Sequence, residues 1–592
     1  MVIKVSDDHK ILRVSSLQIR NKWYDRELTN LHKRKIESYK TARNTGFWDE
    51  YNVIKKIYKR TIIYKKKKYM EDRVNHNNGD MKRMWKCLKD PVELNDVKKH
   101  ITKIVINGEC LENEYDIANA LNNFFIQSIV EINDSIEEIV NGDEISANHS
   151  NPFETFKFTD IVVDDIIIIT KSLKNKYGGD KLLSEGVVKD AMTYTANFYK
   201  DIINESLNSG IVPSYWKIST IIPVEKVKNT MKPEELRPIN TLPTDEKIME
   251  TVVKDQLVAY LEKHNVIIPE QSGFRKSHSC ETALNMVIAD WKEDMADKKF
   301  TVSVFLDLKR AFETVDRSVI SEKYAECDML KVQEDLDSLY KWLCLRKLKL
   351  NVEKTKFMIF CKNTNIISNN SLNNITLKVK NMEIQRVDKI KYLGVLIDDN
   401  LNFGEHVTYL ERKIAQKIGF MYRTCKHISQ SHKILVYRSI IEPHFIYCPT
   451  ILLLSNDIYI KKLQIQQNKA MRFILKCPPR TPKIVMLNRL NWLSIKQSVS
   501  YFTLKFIHQL RLGMLPNYLS SKIHYNHEIH NYGTRNCNNI RLPRIRTEFA
   551  KRSLEYLGYK MYNELPSDLK DCENISKFKE KLFLYCTSLN VT

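Results

Sequence analysis

Glycine and proline are scarce in this chain, with 15 and 16 among 592 residues. Because both residues interrupt regular structure, their scarcity favours helices joined by polar turns. The twelve cysteines form no C-x-x-C pair, the first residues lack the apolar stretch of a secretory signal, and no uncharged apolar run reaches the roughly 18 residues of a membrane-spanning helix. These absences predict an intracellular protein of the nucleus or cytoplasm, with reduced thiols and no membrane segment.

Positive charge is abundant, with 94 Lys and Arg against 72 Asp and Glu and a formal net charge of +22. Residues 1–100 hold 26 basic and 13 acidic residues, which is more than half of the excess. Such a field attracts polyanions, of which nucleic acid is the usual one, although a solvated helical face or an acidic lipid surface would look similar. We predict phosphate contacts with little sequence preference, in particular from a cluster of four lysines: Lys65, Lys66, Lys67 and Lys68.

The length and a hydrophobic content of 43% predict several packed domains. Residues 27–74 carry apolar side chains at helical spacing, which predicts two basic helices around a turn at residues 44–46. A strand pair around Asn107-Gly108 and a helix near 113–128 follow. We therefore divide the first 150 residues into a basic helical connector, 1–100, and a linker region, 101–150.

The middle of the chain changes character. Residues 156–175 look like a strand entering an amphipathic helix, and residues 178–217 look like a pair of helices closed by Gly210 and Pro213. The β-branched pattern of 297–308 is apolar enough for a central strand. Further strands are predicted at 218–226, 355–360, 375–385 and 389–398, and a helical, basic region from about 405 to the end.

Asp307 ends the apolar strand "VSVFLD". A carboxylate at the end of a rigid strand suits a hard divalent cation. The alternative is a cap for the helix that begins in "RAFETVD", and on this residue alone the cap is favoured.

The neighbouring motifs change that balance. The stretches "STIIPVEKVKNTMKPEELRPIN" and "IPEQSGFRKSHSCETALNMV" precede "FLDLKRAFETVD", and "LNVEKTKFMIF", "KIKYLGVLIDDNLNFGEHV", "HNYGTR" and "YNELPSDLK" follow it. In this order they resemble the reverse transcriptase of jockey-like non-LTR retrotransposons, from about residue 20 onwards. "FLDLKRAFETVD" resembles the first catalytic motif, with Glu313 where the family usually has Asp.

The resemblance implies roles for individual residues. Asp307 would bind two Mg²⁺ ions, and Lys354 would protonate the leaving pyrophosphate. Lys226 and Arg237 would clamp the incoming triphosphate through charge-assisted contacts, and Phe312 would lie under the sugar and exclude a 2′-hydroxyl. Solvated surface charge is the alternative for each of the three cationic residues.

The fold that the resemblance implies is α+β, a right-hand polymerase with flanking basic helical regions. Fingers and a truncated palm would occupy 151–400, and a helical thumb with a C-terminal basic domain 401–592. The hairpin "KYLGVLID" would be the primer grip. Such elements usually place an endonuclease domain before the polymerase, so we expect this chain to correspond to the polymerase half.

Two family motifs are missing between the catalytic strand and residue 394. No glycine occurs between Gly273 and Gly394, so the P-Q-G-S loop is absent. Only 16 residues separate Asp307 from Tyr324, and "KYAECDML" resembles a stump of the Y-A-D-D hairpin, with Glu326 where the first metal-binding Asp belongs. We expect a reverse transcriptase by descent that is inactive in this form, with an RNA template and a DNA primer or target as partners. The alternative is a non-catalytic nucleic-acid-binding remnant of a mobile element.

Two weaker patterns remain. Cys425, His427 and His432 could suggest zinc, but their spacing suits a helix end and a turn better. Asp398 and Asp399 form a carboxylate pair that we interpret as the end of a strand in a turn.

Overall fold

The computed structural model describes residues 23–75, 101–106, 108–136, 155–173, 185–227, 229–311, 332–362, 375–426, 428–528, 537–545 and 547–589. They fall into two compact units. The first unit comprises Met1–Val97, Lys276–Lys299 and Lys389–Thr592, and the second comprises Lys98–Arg275 and Phe300–Asp388.

The strands are short. They are β1 (Ile104–Ile106), β2 (Glu109–Leu111), β3 (Thr220–Glu225), β4 (Leu236–Thr241), β5 (Phe300–Phe305), β6 (Leu308–Lys309), β7 (Lys349–Leu350), β8 (Lys356–Cys361), β9 (Lys378–Val379), β10 (Met382–Glu383), β11 (Gln385–Arg386), β12 (Lys389–Tyr392) and β13 (Val395–Asp398).

Helices make up most of the described structure. They are α1 (Arg26–Thr45), α2 (Asp49–Asn75), α3 (Glu114–Asp134), α4 (Val163–Ser172), α5 (Glu185–Ser209), α6 (Thr244–Lys263), α7 (Cys280–Ala296), α8 (Val332–Leu345), α9 (Gly404–Thr424), α10 (Gln430–Ile440), α11 (Glu442–Ile446), α12 (Pro449–Leu454), α13 (Asp457–Leu475), α14 (Lys483–Leu490), α15 (Ile495–Arg511), α16 (Asn517–Ser520), α17 (Glu548–Lys551), α18 (Tyr559–Asn563), α19 (Ser567–Lys570) and α20 (Ile575–Ser588). Among the described residues, no helix combines the length and the apolarity needed to cross a bilayer.

The two predicted basic helices are confirmed as α1 and α2. The Asp25 side chain accepts a hydrogen bond from the Leu28 amide and so begins α1. Gly46 ends the helix with a φ of 79°, in the left-handed region that glycine adopts without a steric penalty. Local capping signals therefore define this helical hairpin.

Helix α3 covers the first two hairpins of the second unit. The strand pair β1–β2 is confirmed as an antiparallel hairpin, and β3 pairs antiparallel with β4. Ile117, Leu121 and Phe125 of α3 form one buried cluster with Ile104 of β1 and Leu236 of β4. Their spacing of about one helical turn explains why this face of α3 is buried.

One prediction for residues 156–217 is wrong. No strand forms over the described residues 155–162, because the main-chain groups of Thr159 and Ile161 bond to the side chains of Gln256 and Asn204 instead of to a strand. The helix pair predicted over 178–217 begins outside the described residues. A single helix, α5, runs to Ser209, and a 3₁₀ turn at Ser214–Lys217 follows it.

The prediction that residues 297–308 form a central strand is also wrong. In the described part of the sheet the strand order is β11-β8-β5, so β5 lies at an edge and β8 at the centre. Phe357, Ile359 and Cys361 of β8 pack against Leu336 and Leu343 of α8, while Met358 and Phe360 are buried on the opposite face. A strand that buries both faces is what a central position requires, and β5 is only half-buried.

The remaining predicted strands form. The hairpin "KIKYLGVLID" is confirmed as β12–β13, and residues 355–360 and 375–385 contain β8 and β9 to β11. Beyond them the first unit is helical, as predicted. Val407, Leu410 and Ile414 of α9 recur at helical spacing and pack against the buried residues of α13.

Candidate functional site

Asp307 lies between β5 and β6, where its strand leaves the core. Its main-chain carbonyl accepts a hydrogen bond of 2.7 Å from the Asn351 amide, and its Oδ2 accepts one of 3.3 Å from Asn351 Nδ2. The Lys354 Nζ lies 3.6 Å from the same Oδ2. The structure thus brings together Asp307 and Lys354, and it adds Asn351, which the sequence analysis did not single out.

The register of two short strands produces this arrangement. Leu308 pairs with Leu350 and Lys309 with Lys349, so Asn351 comes opposite Asp307. The Asn351 carbonyl then accepts hydrogen bonds from the amides of Lys354 and Thr355, which closes a turn. The turn projects Lys354 back towards the carboxylate. Asn351 is therefore relevant to the site because it lies opposite Asp307 across β6 and β7. The residues next to it in the sequence do not indicate this position.

The described side chains do not fit a two-metal centre. Asp307 contributes one carboxylate, 48% exposed, and the Lys354 ammonium already lies near one of its oxygens. The buried Asn351 Oδ1 has no hydrogen-bond partner among the described residues and could add one neutral oxygen. No group of three or more His, Cys, Asp or Glu side chains is suitably clustered in the described part of the chain. Glu326, the predicted second carboxylate, lies outside the described residues.

A cluster of lysines lies beside this turn. Lys309 and Lys349 face each other directly across β6 and β7, an unfavourable position for two like charges. Burial lowers the pKa of Lys349, and the charges of Lys309 and Lys380 lower it further. Lys309 and Lys349 thus lie two positions along their strands from Asp307 and Asn351, and Lys380 adds a third positive charge that acts on Lys349. The sequence alone does not indicate that Lys309 and Lys349 are neighbours, because this depends on the register of β6 and β7.

Lys226 and Arg237 lie on the β3–β4 hairpin. Val224 pairs with Arg237, and the Lys226 amide donates to the Glu235 carbonyl at 2.8 Å. Side chains alternate along a strand, so Lys226, Val224 and Arg237 share one face of the hairpin. That face is exposed, and Ile222 also lies on it. An exposed apolar surface between two cations can accept an anion attached to an apolar group. Phe312 lies outside the described residues.

The four lysines of α2 do not form one uniform patch. Lys65 Nζ lies 2.6 Å from both Asp25 Oδ2 and Glu27 Oε2, and these contacts, first that with Asp25, raise its pKa. Lys66 Nζ lies 4.4 Å from the centre of the Trp23 ring. Lys65 and Lys66 therefore contact the helical hairpin itself.

The other two lysines are more exposed. Lys67 forms an exposed ion pair of 3.7 Å with Glu71, and Lys68 is exposed. The predicted phosphate contacts consequently rest mainly on Lys67 and Lys68.

Two of the three residues of the possible zinc pattern are described. Helix α9 ends at Thr424, and burial raises the pKa of the following Cys425 thiol to about 11. His432 Nδ1 lies 2.7 Å from Oγ of Ser429, the residue that caps α10. His427 lies outside the described residues.

Asp398 belongs to a turn. Its carboxylate accepts hydrogen bonds from the amides of Asn402 and Phe403, at 3.1 and 2.9 Å. These bonds end β13 and lead the chain into α9. The interpretation of Asp398 as the end of a strand in a turn is confirmed.

Comparison with known proteins gives one family and several relatives. Residues 225–332 match the reverse transcriptase (RNA-dependent DNA polymerase) family. In Drosophila melanogaster, the probable RNA-directed DNA polymerase from transposon X-element is 22% identical over 55% of this chain and 44% of its own length. The RNA-directed DNA polymerase from mobile element jockey is 21% identical over 52% and 43%. The probable RNA-directed DNA polymerase from transposon BS is 21% identical over 72% and 57%.

The matched region contains some of the segments on which the resemblance was based, and the segments from residue 350 onwards lie outside it. It begins at Glu225, next to Lys226, and includes Arg237 and Asp307. The chain spans about half the length of the curated relatives that it matches. These matches confirm the resemblance: residues 225–332 are similar to the reverse transcriptase family, and the chain is similar to the RNA-directed DNA polymerases of transposon X-element and mobile element jockey.

Proposed function

We propose that this chain is an RNA-directed DNA polymerase of a non-LTR retrotransposon by descent, which binds an RNA template and a DNA primer but adds no nucleotides in this form. The observation that carries the proposal is the position of Asp307. It ends a strand within the matched family region, and its carboxylate lies against Lys354. A carboxylate and an ammonium at this place are the groups that a nucleotidyl transfer site needs.

The absence of activity follows from the donor set. The resemblance implies a two-metal Mg²⁺ centre, which requires carboxylates from two neighbouring strands. Asp307 would be the first metal-binding carboxylate and lies among the described residues. Glu326 is the candidate for the second carboxylate and lies outside them. Since the described residues do not complete such a centre, no nucleotide-addition step is assigned to them.

The same proposal assigns the subdomains. The β3–β4 hairpin with α4 to α6 would form the fingers, and the β11-β8-β5 sheet would form the truncated palm. Hairpin β12–β13 would be the primer grip, and the helices from α9 onwards would be the thumb. Lys226 and Arg237, on one exposed face of the fingers hairpin, would contact the triphosphate.

The second candidate is a non-catalytic nucleic-acid-binding remnant. The observation that favours it is the charge of the α1–α2 region: residues 23–75 carry fifteen Lys and Arg against seven Asp and Glu. Both candidates require nucleic-acid binding, and only the first requires a site that once transferred nucleotides.

Both candidate functions require nucleic-acid binding, which can be tested by titrating the chain with a labelled RNA template annealed to a DNA primer. We expect the affinity of the full chain to fall with salt, with a log–log slope of about −0.7 to −0.9 for each phosphate neutralised. An affinity that does not change between low and moderate salt would contradict both candidates.

Lys226→Gln with Arg237→Gln separates the two candidates. In a polymerase-derived chain this variant should weaken binding of a deoxynucleoside triphosphate while it leaves template–primer affinity nearly unchanged. Lys341→Gln, at an exposed position of α8, is the matched control. Equal triphosphate affinity in all three chains would favour the remnant.

A further inference from the structure

Aromatic rings gather at the turn between α1 and α2. Tyr39, Trp48 and Tyr51 contact one another edge to face, with ring centres 5.4 to 5.9 Å apart. Phe47 is 80% exposed, and Trp48 is 43% exposed. The aromatic turn, as we call Tyr39, Phe47, Trp48 and Tyr51, therefore presents flat apolar surface to solvent.

The turn has a fixed backbone. Gly46 closes α1 in the left-handed region, and its amide donates to the Ala42 carbonyl at 2.9 Å. Helix α2 begins at Asp49, so Phe47 and Trp48 lie between two helix ends. Because the three contacting rings support one another, Trp48 is held in place before any ligand binds, which lowers the entropic cost of binding.

Lysines lie along α2 beyond the aromatic turn, after the acidic Asp49 and Glu50 of its first turn. Lys55 Nζ lies 5.3 Å from the centre of the Tyr51 ring, and Lys56 and Lys59 are exposed on the following turns of α2. The excess of positive charge in residues 23–75 would repel a second copy of this hairpin. The occupant that fits is therefore an anion that also carries flat apolar groups.

Unpaired nucleotides have this combination of properties. Their phosphates carry negative charge, and their bases expose both ring faces, whereas the bases of a duplex are stacked on one another. Exposed aromatic side chains beside a basic surface are the usual means of binding single strands without sequence preference. An apolar protein partner would use the rings but not the lysines.

We propose that the aromatic turn binds unpaired bases of single-stranded nucleic acid, with Phe47 and Trp48 stacking on the bases and Lys55, Lys56 and Lys59 contacting the phosphates. The inference rests on the proposed function, because it assumes that the chain binds nucleic acid. It adds a site on the first unit that recognises the strandedness of the ligand and lies outside the matched residues 225–332.

The test compares two strands of equal charge. The full chain is titrated with labelled oligo(dT) and with an abasic strand of the same length, which keeps the phosphates and lacks the bases. Phe47→Ala with Trp48→Ala should weaken oligo(dT) binding about thirtyfold or more, the effect of two lost stacking contacts, and should leave abasic binding unchanged. The matched control is Tyr194→Ala, which removes an 89% exposed ring from α5 of the second unit and should change neither affinity.

Unchanged oligo(dT) affinity, or an equal loss on both strands, would overturn the aromatic turn as a base site. Trp48→Phe, which keeps a ring, should retain binding, and a loss as large as that of the double variant would also count against stacking. A wild-type chain that binds neither strand would overturn the proposed nucleic-acid binding itself, and the base site with it.

Discussion

Asn351 holds Asp307 through two hydrogen bonds, one to its main-chain carbonyl and one to its carboxylate. The first bond continues the β6–β7 pairing, and the second orients the side chain. Lys354 approaches the same carboxylate from a turn that the Asn351 carbonyl closes. The segment "LNVEKTK" thus determines both the position and the charge environment of Asp307.

Asn351→Asp should create a metal site that the wild type lacks among its described residues. The new carboxylate would lie about as close to Asp307 as the amide does, 3.3 Å from Oδ2. Repulsion between them should lower the free energy of unfolding in EDTA by about 1 kcal/mol. Millimolar Mg²⁺ should then raise the unfolding midpoint of Asn351→Asp in calorimetry, but not that of Asn351→Leu. A wild-type midpoint that rises with Mg²⁺ and loses this response in Asp307→Ala would show that a metal site already exists.

Lys349→Met should stabilise the second unit by a few tenths to about 1 kcal/mol, because it removes the like-charge pair with Lys309. The pKa of Lys349 is lowered in the folded state. The unfolded chain therefore binds more protons between the folded and the unfolded pKa, and stability increases as the pH rises through that alkaline window. Urea unfolding at pH 7 and pH 9.5 should show this increase in the wild type and a smaller one in Lys349→Met. If Lys341→Met produces the same change, the lysine cluster is not its cause.

His406 should make the first unit sensitive to acid. Its Nδ1 accepts a hydrogen bond from the Leu396 amide, and burial lowers its pKa to about 4. Below the unfolded pKa of about 6.5 the unfolded chain takes up a proton that the folded chain does not, so stability is lost as the pH falls. Between pH 7.5 and pH 5 this histidine should cost about 2 kcal/mol. Denaturant unfolding of His406→Leu over this range should show a shallower dependence, and an unchanged dependence would assign the acid sensitivity to other groups.

Two glycines should respond to alanine with opposite signs. Gly394 has a φ of +85°, and an added Cβ would lie 3.1 Å from Tyr447 Oη, so Gly394→Ala should destabilise the β12–β13 hairpin by about 1–2 kcal/mol. Gly419 lies within α9, where an added Cβ approaches only the flexible Arg423 side chain, so Gly419→Ala should stabilise by up to about 1 kcal/mol. Thermal unfolding of the two variants checks both signs. Stabilisation by Gly394→Ala would show that the hairpin tip differs from the one described.

Elements with local signals could be predicted from the sequence. Helix α1 lies between Asp25 and Gly46, and the hairpin β12–β13 turns at Leu393-Gly394, so capping and turn chemistry were sufficient. Residues 155–162 could not be predicted, because their main-chain partners are side chains more than forty positions away. The central position of β8 likewise depends on pairing between distant strands.

The candidate site shows the same division. Asp307 and Lys354 were identified through motifs that resemble a known family, and the structure places them side by side. Asn351 and Lys349 were missed, because their relation to Asp307 and Lys309 exists only in the register of β6 and β7. A pattern within one segment does not specify which residue will face it across a sheet.

Primer extension tests the central claim most directly. The purified chain is incubated with an RNA template, a DNA primer, deoxynucleoside triphosphates and either Mg²⁺ or Mn²⁺, alongside Asp307→Ala. We predict no extension by either chain, because two-metal catalysis needs carboxylates from two neighbouring β-strands. The two chains should bind the template–primer equally well. Template-dependent extension by the wild type that disappears in Asp307→Ala would contradict this account, since it would show that a complete metal centre forms around Asp307.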